Sequence, residues 1–149
     1  MNRHPRGSIC FFAPGIKQIF YISGGLDGYE PQSSTEVWDG ESWRNDVRLP
    51  IPVYDHCLVK INSTHYFLTG GQFDISNFSR LSFIFDGKEF IRVEDLSRAR
   101  SSSACGLHGD HLVFVAGGTD DNNTDAQPQK VSSSTSDYFS LKTMTWSEG

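Results

Sequence analysis

The chain has 149 residues, of which 37% are hydrophobic and 13% aromatic, so it can build a folded core and does not have the composition of a disordered chain. Its 18 acidic and 13 basic side chains give a formal net charge of −5, a balance that argues against a general surface for nucleic acid or anionic membranes. No apolar run approaches the roughly 20 residues of a membrane-spanning helix. The composition therefore agrees with a globular β-rich domain, and we expect neither nucleic acid nor a membrane as its partner.

Residues 1–7 are predicted to be a short N-terminal flank before a first strand at 8–12. Basic residues in this flank precede only five apolar residues, Ile9 to Ala13. Five are too few for the apolar core of a secretory signal peptide, so we interpret the run as a strand.

Three apolar runs along the chain each end in a pair of glycines. The pairs are Gly24-Gly25, Gly70-Gly71 and Gly117-Gly118. The second glycine recurs after 46 and then 47 positions, a spacing typical of repeated units stacked in an array. The consecutive apolar residues before each pair indicate strands that are covered on both faces. We expect each glycine pair to permit a sharp turn beside a neighbouring sheet, where a Cβ would clash or forbid the backbone dihedral.

Two aromatic residues bracket a turn downstream of each glycine pair. The aromatic pairs are Trp38 and Trp43, Phe85 and Phe90, and Phe139 and Trp146. Asp39-Gly40 and Asp86-Gly87 follow the first aromatic residue of the first two pairs, and Asp-Gly predicts a two-residue hairpin turn of type I′. The third bracket encloses a wider turn. Each unit is thus expected to contain a hairpin formed by its third and fourth strands.

This combination resembles the kelch repeat, in which a double glycine closes the second strand, an aromatic lies in the third and a Trp in the fourth. The resemblance covers nearly the whole chain, and its repeats span residues 8–48, 53–94 and 100–149. Phe90 departs from the family pattern, since a Trp is usual there. The resemblance implies an all-β fold, a kelch-type β-propeller segment of three four-stranded antiparallel blades.

Three blades do not complete a propeller, because such rings usually close with about four to eight blades. We therefore expect an incomplete ring that belongs to a longer kelch protein. Two alternatives stay open. In the first alternative, copies of the chain self-associate through their exposed end blades by symmetric contacts. In the second, the chain is an independent three-blade unit with unusual capping.

Kelch proteins often receive a protein or peptide on the face where the second-to-third-strand loops and the links between blades emerge. The resemblance therefore implies a protein-interaction module, within a parent that is either a ubiquitin-ligase substrate adaptor or an actin-binding propeller. The candidate binding residues are Tyr29, Phe73, Phe78, Arg98, Arg100, Asp120 and Asp121. The arginines can grip carboxylates in a forked geometry. The two aspartates open a segment about nine residues longer than its counterparts, and such insertions often lie on a binding face.

Catalytic and metal-binding patterns are weak. His108 and His111 are a close pair of histidines, but they flank a predicted hairpin turn at Gly109-Asp110, and no Cys-x-x-Cys or His-x-His supplies further ligands. The alternative is a kelch-like enzyme of copper-oxidase or sugar-active type. Its only local support is the group Tyr54, His56 and Cys57, which are residue types that a kelch-like copper oxidase uses at its metal site. We expect no enzymatic activity, no metal and no cofactor.

The cysteines and the glycosylation motifs predict different compartments. Cys10, Cys57 and Cys105 all fall in predicted first strands, where a reduced cysteine packs as a small hydrophobe. The odd count and the lack of paired spacing favour a cytoplasmic protein without disulfides. Three N-glycosylation acceptor motifs, which begin at Asn62, Asn77 and Asn122, support the alternative of an extracellular glycosylated kelch module.

Overall fold

The computed structural model describes residues 9–13, 19–122 and 129–149, and within these ranges every regular element is a β-strand. The prediction of an all-β chain is therefore confirmed. The strands form antiparallel sheets of two to four strands each. The chain divides into two compact units, residues 1–54 and residues 55–149.

The first unit contains a four-stranded antiparallel sheet and a small hairpin. In chain order its strands are β1 (Ile9–Ala13), β2 (Ile19–Ser23), β3 (Leu26–Asp27), β4 (Glu30–Pro31), β5 (Thr35–Trp38) and β6 (Trp43–Asn45). The order in the first sheet is β1-β2-β5-β6, and β3 pairs with β4 in the hairpin. The hairpin thus lies in the connection between the second and third strands of the first sheet.

The second unit contains two four-stranded sheets and a three-stranded sheet. Its strands are β7 (Cys57–Lys60), β8 (Tyr66–Thr69), β9 (Ser82–Phe85), β10 (Phe90–Arg92), β11 (Arg100–Ser101), β12 (Ala104–His108), β13 (Leu112–Ala116), β14 (Thr119–Asn122), β15 (Gln129–Ser132), β16 (Ser136–Ser140) and β17 (Thr145–Glu148). The second sheet has the order β7-β8-β9-β10 and the third β12-β13-β16-β17. The small sheet has the order β11-β14-β15.

The glycine pairs adopt the backbone conformation that the sequence predicts. All six glycines have positive φ, between 60° and 101°, a region that side chains with a Cβ rarely adopt. At Gly70 a Cβ would lie 2.6 Å from the carbonyl oxygen of Arg100. Both reasons for glycine, the dihedral and the close approach of a neighbouring strand, are therefore met at this position.

The aromatic brackets are confirmed as cross-strand pairs, but the two turns that contain Asp-Gly are not of the predicted type. Trp38 pairs directly with Trp43, and their ring centroids lie 5.6 Å apart. Four residues separate β5 from β6, and the φ angle is positive at Gly40 alone among them. The Asp39 carboxylate accepts hydrogen bonds from the backbone N–H groups of Glu41 and Ser42, each 3.0 Å long. The side chain of the aspartate, as well as the freedom of the glycine, fixes this longer turn.

The core of the second unit lies between the second and third sheets. Strand β8 is buried at all four positions, which confirms the prediction of a strand covered on both faces. Phe67 from β8 packs against Phe139 from β16, with ring centroids 4.7 Å apart. Trp146 contacts both rings edge-on. These aromatic contacts make the two sheets one packed body.

A disulfide between Cys57 in β7 and Cys105 in β12 also joins the second and third sheets. Their Cα atoms lie 6.2 Å apart, within the usual range for a disulfide. The expectation of a chain without disulfides is thus wrong for this structure. The two cysteines are 48 positions apart in sequence and become neighbours only because the two sheets pack together, so their spacing gave no signal.

Candidate partner-binding loops

The loop after the Gly70-Gly71 corner is held in one shape by its own hydrogen bonds. The backbone N–H of Phe73 donates to the carbonyl of Asn77 over 2.9 Å, and that of Ser79 donates to the carbonyl of Gly71 over 2.8 Å. Asp74 Oδ1 accepts the N–H groups of Ser76 and Asn77, at 2.7 and 2.9 Å. The loop therefore has a defined backbone although it lies at the surface.

Ionised Asp74 is the centre of this loop. The side-chain amide of Asn77 donates to it over 2.6 Å, and this bond, followed by that from the Ser76 N–H, holds the pKa of Asp74 below its usual value. The side chain of the next residue, Ile75, is 76% exposed. The loop thus presents a large apolar side chain to solvent from a fixed backbone.

The two aromatic candidates of this loop differ from Ile75 in their exposure. Phe73 and Phe78 are half-buried, and Phe78 pairs with Gln72 in an isolated β-bridge. The Gln72 side chain donates a 2.9 Å hydrogen bond to the Ser101 hydroxyl, which ties the loop to β11. Sequence reasoning selected the aromatic residues and missed Ile75, whose exposure depends on its place at the tip.

Tyr29 lies at the tip of the β3–β4 hairpin and is 98% exposed. It follows Gly25 by four positions, as Ile75 follows Gly71. Two repeats therefore carry an exposed apolar or aromatic side chain at the same place in their second-to-third-strand connection.

Arg100 is not a surface residue, contrary to its placement among the candidate binding residues of a loop. It lies in β11 and is 1% exposed. Its guanidinium donates to Asp137 Oδ2 over 2.7 Å and to the Thr135 hydroxyl over 2.9 Å. A second nitrogen donates to the carbonyl of Thr135 over 3.2 Å. Arg100 therefore binds a carboxylate through one nitrogen and not in the expected forked geometry, and the carboxylate belongs to the protein itself.

Arg98, in contrast, is exposed and lines a cleft of about 50 Å³. The cleft also has Arg100, Asp137 and Glu148 in its wall. Its two positive side chains therefore face two negative ones, and its volume suits a few water molecules. The cleft is too small and too balanced in charge to select a ligand of one sign.

The acidic candidates lie in a strand, whereas the sequence predicted a loop from 119 to 136. Asp120 is buried in β14 and lies opposite Arg100 of β11 in the sheet register. The Asp121 backbone pairs with Lys130 of β15, and its side chain is outside the described part of the structure. Residues 123–128, the middle of the predicted insertion, also lie outside the described residues.

The histidines occupy separate environments. His111 contacts Asp110 over 2.6 Å in the exposed turn of residues 109–111, which confirms a hairpin turn there, one residue longer than predicted. His56 is buried, and loss of its hydration lowers its pKa to about 4. Its neighbour Cys57 is bound in the disulfide. Across residues 9–13, 19–122 and 129–149 we find no group of three or more His, Cys, Asp or Glu side chains that could hold a metal ion.

No helix in the described part of the chain is long and apolar enough to cross a membrane. Comparison with protein-family models gave no match, and comparison with curated proteins gave none either. A functional assignment therefore has to rest on the sequence pattern and on the geometry of the loops.

Proposed function

We propose that this chain is a kelch-repeat segment that binds a protein or peptide partner through its second-to-third-strand loops. The observation that carries the proposal is Ile75, 76% exposed at the tip of a loop whose backbone is fixed by internal hydrogen bonds. Single exposed apolar residues are common on protein surfaces. Here, however, Tyr29 repeats the feature at the equivalent position of another repeat, which favours a shared role for the two side chains.

Three features support the kelch assignment. The strand order runs in sequence, apart from small insertions, in each four-stranded sheet. Each of these sheets carries one glycine pair with positive φ at the end of its second strand. Each also pairs an aromatic residue of its third strand with one at the start or within its fourth. A longer parent that completes the ring belongs to the same proposal, as a ubiquitin-ligase substrate adaptor or an actin-binding propeller.

The fixed loop favours binding because little conformational entropy is lost when a partner docks. Ordering a flexible loop costs free energy that is subtracted from the affinity. The hydrogen bonds around Asp74 have already ordered this loop in the free protein. An exposed apolar side chain on such a loop is suited to be an anchor that enters a pocket of the partner.

The proposal is tested by selecting peptides from a displayed library against the wild-type protein and measuring their affinities for variants by calorimetry. We expect Ile75→Asp or Tyr29→Asp to raise Kd about tenfold or more, as for central interface residues. Met144→Asp is the matched control. Met144 is 42% exposed and lies in the turn between β16 and β17, at the end of the third sheet away from its glycine pair. Peptides that bind both loop variants as tightly as the wild type would refute the proposal.

A further inference from the structure

The turn between β7 and β8 contains an N-glycosylation acceptor that the proposed binding function does not use. The motif Asn62-Ser63-Thr64 is exposed throughout. Asn62 Oδ1 accepts the backbone N–H groups of Thr64 and His65, each over 2.9 Å, and the hydroxyl of Thr64 over 3.2 Å. The oxygen of the Asn62 amide therefore faces into the turn and stabilises it.

The nitrogen of the same amide is free. Asn62 Nδ2 makes no hydrogen bond to any residue in the described part of the chain, whereas Oδ1 is fully used. An N-linked glycan replaces one hydrogen on Nδ2 and leaves the amide oxygen in place. The folded turn can therefore carry a glycan on Asn62 and keep each of the hydrogen bonds that stabilise it.

The acceptor motif at Asn77 is less suited to a glycan, and of the motif at Asn122 the structure describes only the first residue's backbone. Asn77 Nδ2 donates to Asp74 Oδ2 over 2.6 Å, and the hydroxyl oxygen of Ser79 is held inside the loop by the Leu81 N–H at 3.1 Å. Ser79 is 1% exposed. Asn122 lies in β14, where its backbone is opposite Gln129 of β15. Of the motifs at Asn62 and Asn77, which the structure describes in full, the motif at Asn62 is thus the one in an exposed turn with an uncommitted amide nitrogen.

The disulfide is an independent observation that points to the same compartment. Cys57, which is bonded to Cys105, begins the strand that leads to Asn62. Structural disulfides form and persist in the oxidising secretory route, and N-linked glycans are features of secreted proteins. The disulfide therefore favours the same compartment as a glycan at Asn62.

We propose that Asn62 carries an N-linked glycan, added as the chain passes through the secretory route. The donor is an oligosaccharide linked to a lipid through pyrophosphate. Asn62 Nδ2 forms a bond to the anomeric carbon of the first sugar and loses one proton, and the bond between that carbon and the pyrophosphate oxygen breaks. The lipid pyrophosphate leaves. The proposal adopts the extracellular alternative in place of the cytoplasmic prediction.

A glycan at Asn62 leaves the proposed binding loop accessible. Strand β8 runs from the turn at His65 to the corner at Gly70, so Asn62 and Ile75 lie at opposite ends of the second sheet. The glycan covers one end, and the loop tip projects at the other. Binding of a partner through the loop and a glycan at Asn62 are therefore compatible, and failure of either leaves the other standing. A glycan at Asn62 would, however, exclude a ubiquitin-ligase adaptor or an actin-binding propeller as the parent, because both act in the cytoplasm.

The test uses the full natural gene, expressed with its own flanking sequence in eukaryotic cells. Peptide mapping after treatment with an N-glycosidase in heavy-oxygen water marks each formerly glycosylated asparagine as a labelled aspartate. We expect the label at Asn62 in the wild type and in Thr64→Ser, which keeps the acceptor motif. Thr64→Val removes the motif but keeps the backbone N–H that bonds Asn62, so it folds and carries no label.

An Asn62 peptide that is unmodified in the wild type would overturn the proposal. A label confined to Asn77 or Asn122 would overturn it as well. Non-reducing peptide mapping of the same samples provides the check on folding, because the peptides of Cys57 and Cys105 then appear joined in the wild type and in both variants.

Discussion

Gly70→Ala tests the physical reason for the glycine pairs. The φ angle of Gly70 is 69°, and an added Cβ would lie 2.6 Å from the carbonyl oxygen of Arg100. The left-handed conformation alone costs a residue with a Cβ about 1–2 kcal/mol. To relieve the contact, the carbonyl oxygen of Arg100 has to move, although it also accepts a 2.8 Å hydrogen bond from the N–H of Gly71. This displacement adds about 1–3 kcal/mol to the cost, as at other overpacked sites.

Gly109→Ala is the matched control in the same unit. Its φ angle is 62°, and the nearest atom to its Cβ is His111 Nδ1, 3.9 Å away. Gly109→Ala therefore has the free-energy cost of the left-handed backbone conformation but makes no close contact through its Cβ. The difference between the two variants therefore isolates the contact, and we expect Gly70→Ala to be less stable than Gly109→Ala by about 1–3 kcal/mol.

Urea unfolding measures the difference. Trp146 is the only tryptophan of residues 55–149 and packs on Phe67 and Phe139. In a background in which Trp38 and Trp43 are replaced by Phe, its fluorescence reports the second unit alone. The free energies of unfolding are compared with the disulfide intact. Equal values for the two variants would refute the reasoning, because the close approach of Arg100 would then cost nothing.

Three further perturbations have defined outcomes. Arg100→Ala removes the ion-pair partner of a buried carboxylate and should lower the free energy of unfolding by about 3–5 kcal/mol, whereas Arg98→Ala truncates an exposed side chain and should leave the free energy of unfolding nearly unchanged. Because the pKa of His56 is about 4 in the fold and 6.5 ordinarily, the unfolded chain takes up a proton first, and stability should fall by up to about 3 kcal/mol as the pH drops from 6.5 to 4. Reduction of the bond between Cys57 and Cys105, which closes a loop of 48 positions, should cost about 4 kcal/mol in loop entropy.

Urea titrations check each of these outcomes, and each has a contradicting result. If the Arg100→Ala protein is as stable as the Arg98→Ala protein, the buried ion pair between Arg100 and Asp137 does not stabilise the fold. The free energy of unfolding of His56→Gln should depend less on pH between 6.5 and 4 than that of the wild type. Identical pH profiles for this variant and the wild type would exclude His56 as the source of the acid sensitivity. If a reducing agent leaves the unfolding midpoint unchanged, the disulfide does not constrain the chain.

The local features of the fold could be predicted from the sequence because they depend on residues close in the chain. The glycine pairs have positive φ because a strand must turn there, and Trp38 and Trp43 pair because they are five positions apart across a turn. The turn type was predicted wrongly because Asp-Gly also permits an aspartate side chain to accept backbone N–H groups. That choice depends on the length of the loop, which a dipeptide does not determine.

The features that depend on contacts between sheets could not be predicted. Arginine is a residue type that usually lies at the surface, and the burial of Arg100 depends on its bond to Asp137, which lies 37 positions further along the chain. Cys57 meets Cys105 only through the packing of the second sheet on the third. Isoleucine is a residue type that usually lies in the core, and the exposure of Ile75 follows from the loop shape that the hydrogen bonds of Asp74 impose.

Hydrogen exchange of the protein with a selected peptide bound tests the loop proposal most directly. The account predicts that binding slows exchange in residues 72–79 around Ile75, in the hairpin around Tyr29, or in both. Exchange in the turn of residues 141–144 should stay the same, since that turn is at the opposite end of the third sheet from its glycine pair. Protection confined to 141–144, or absent from both loops, would contradict the account.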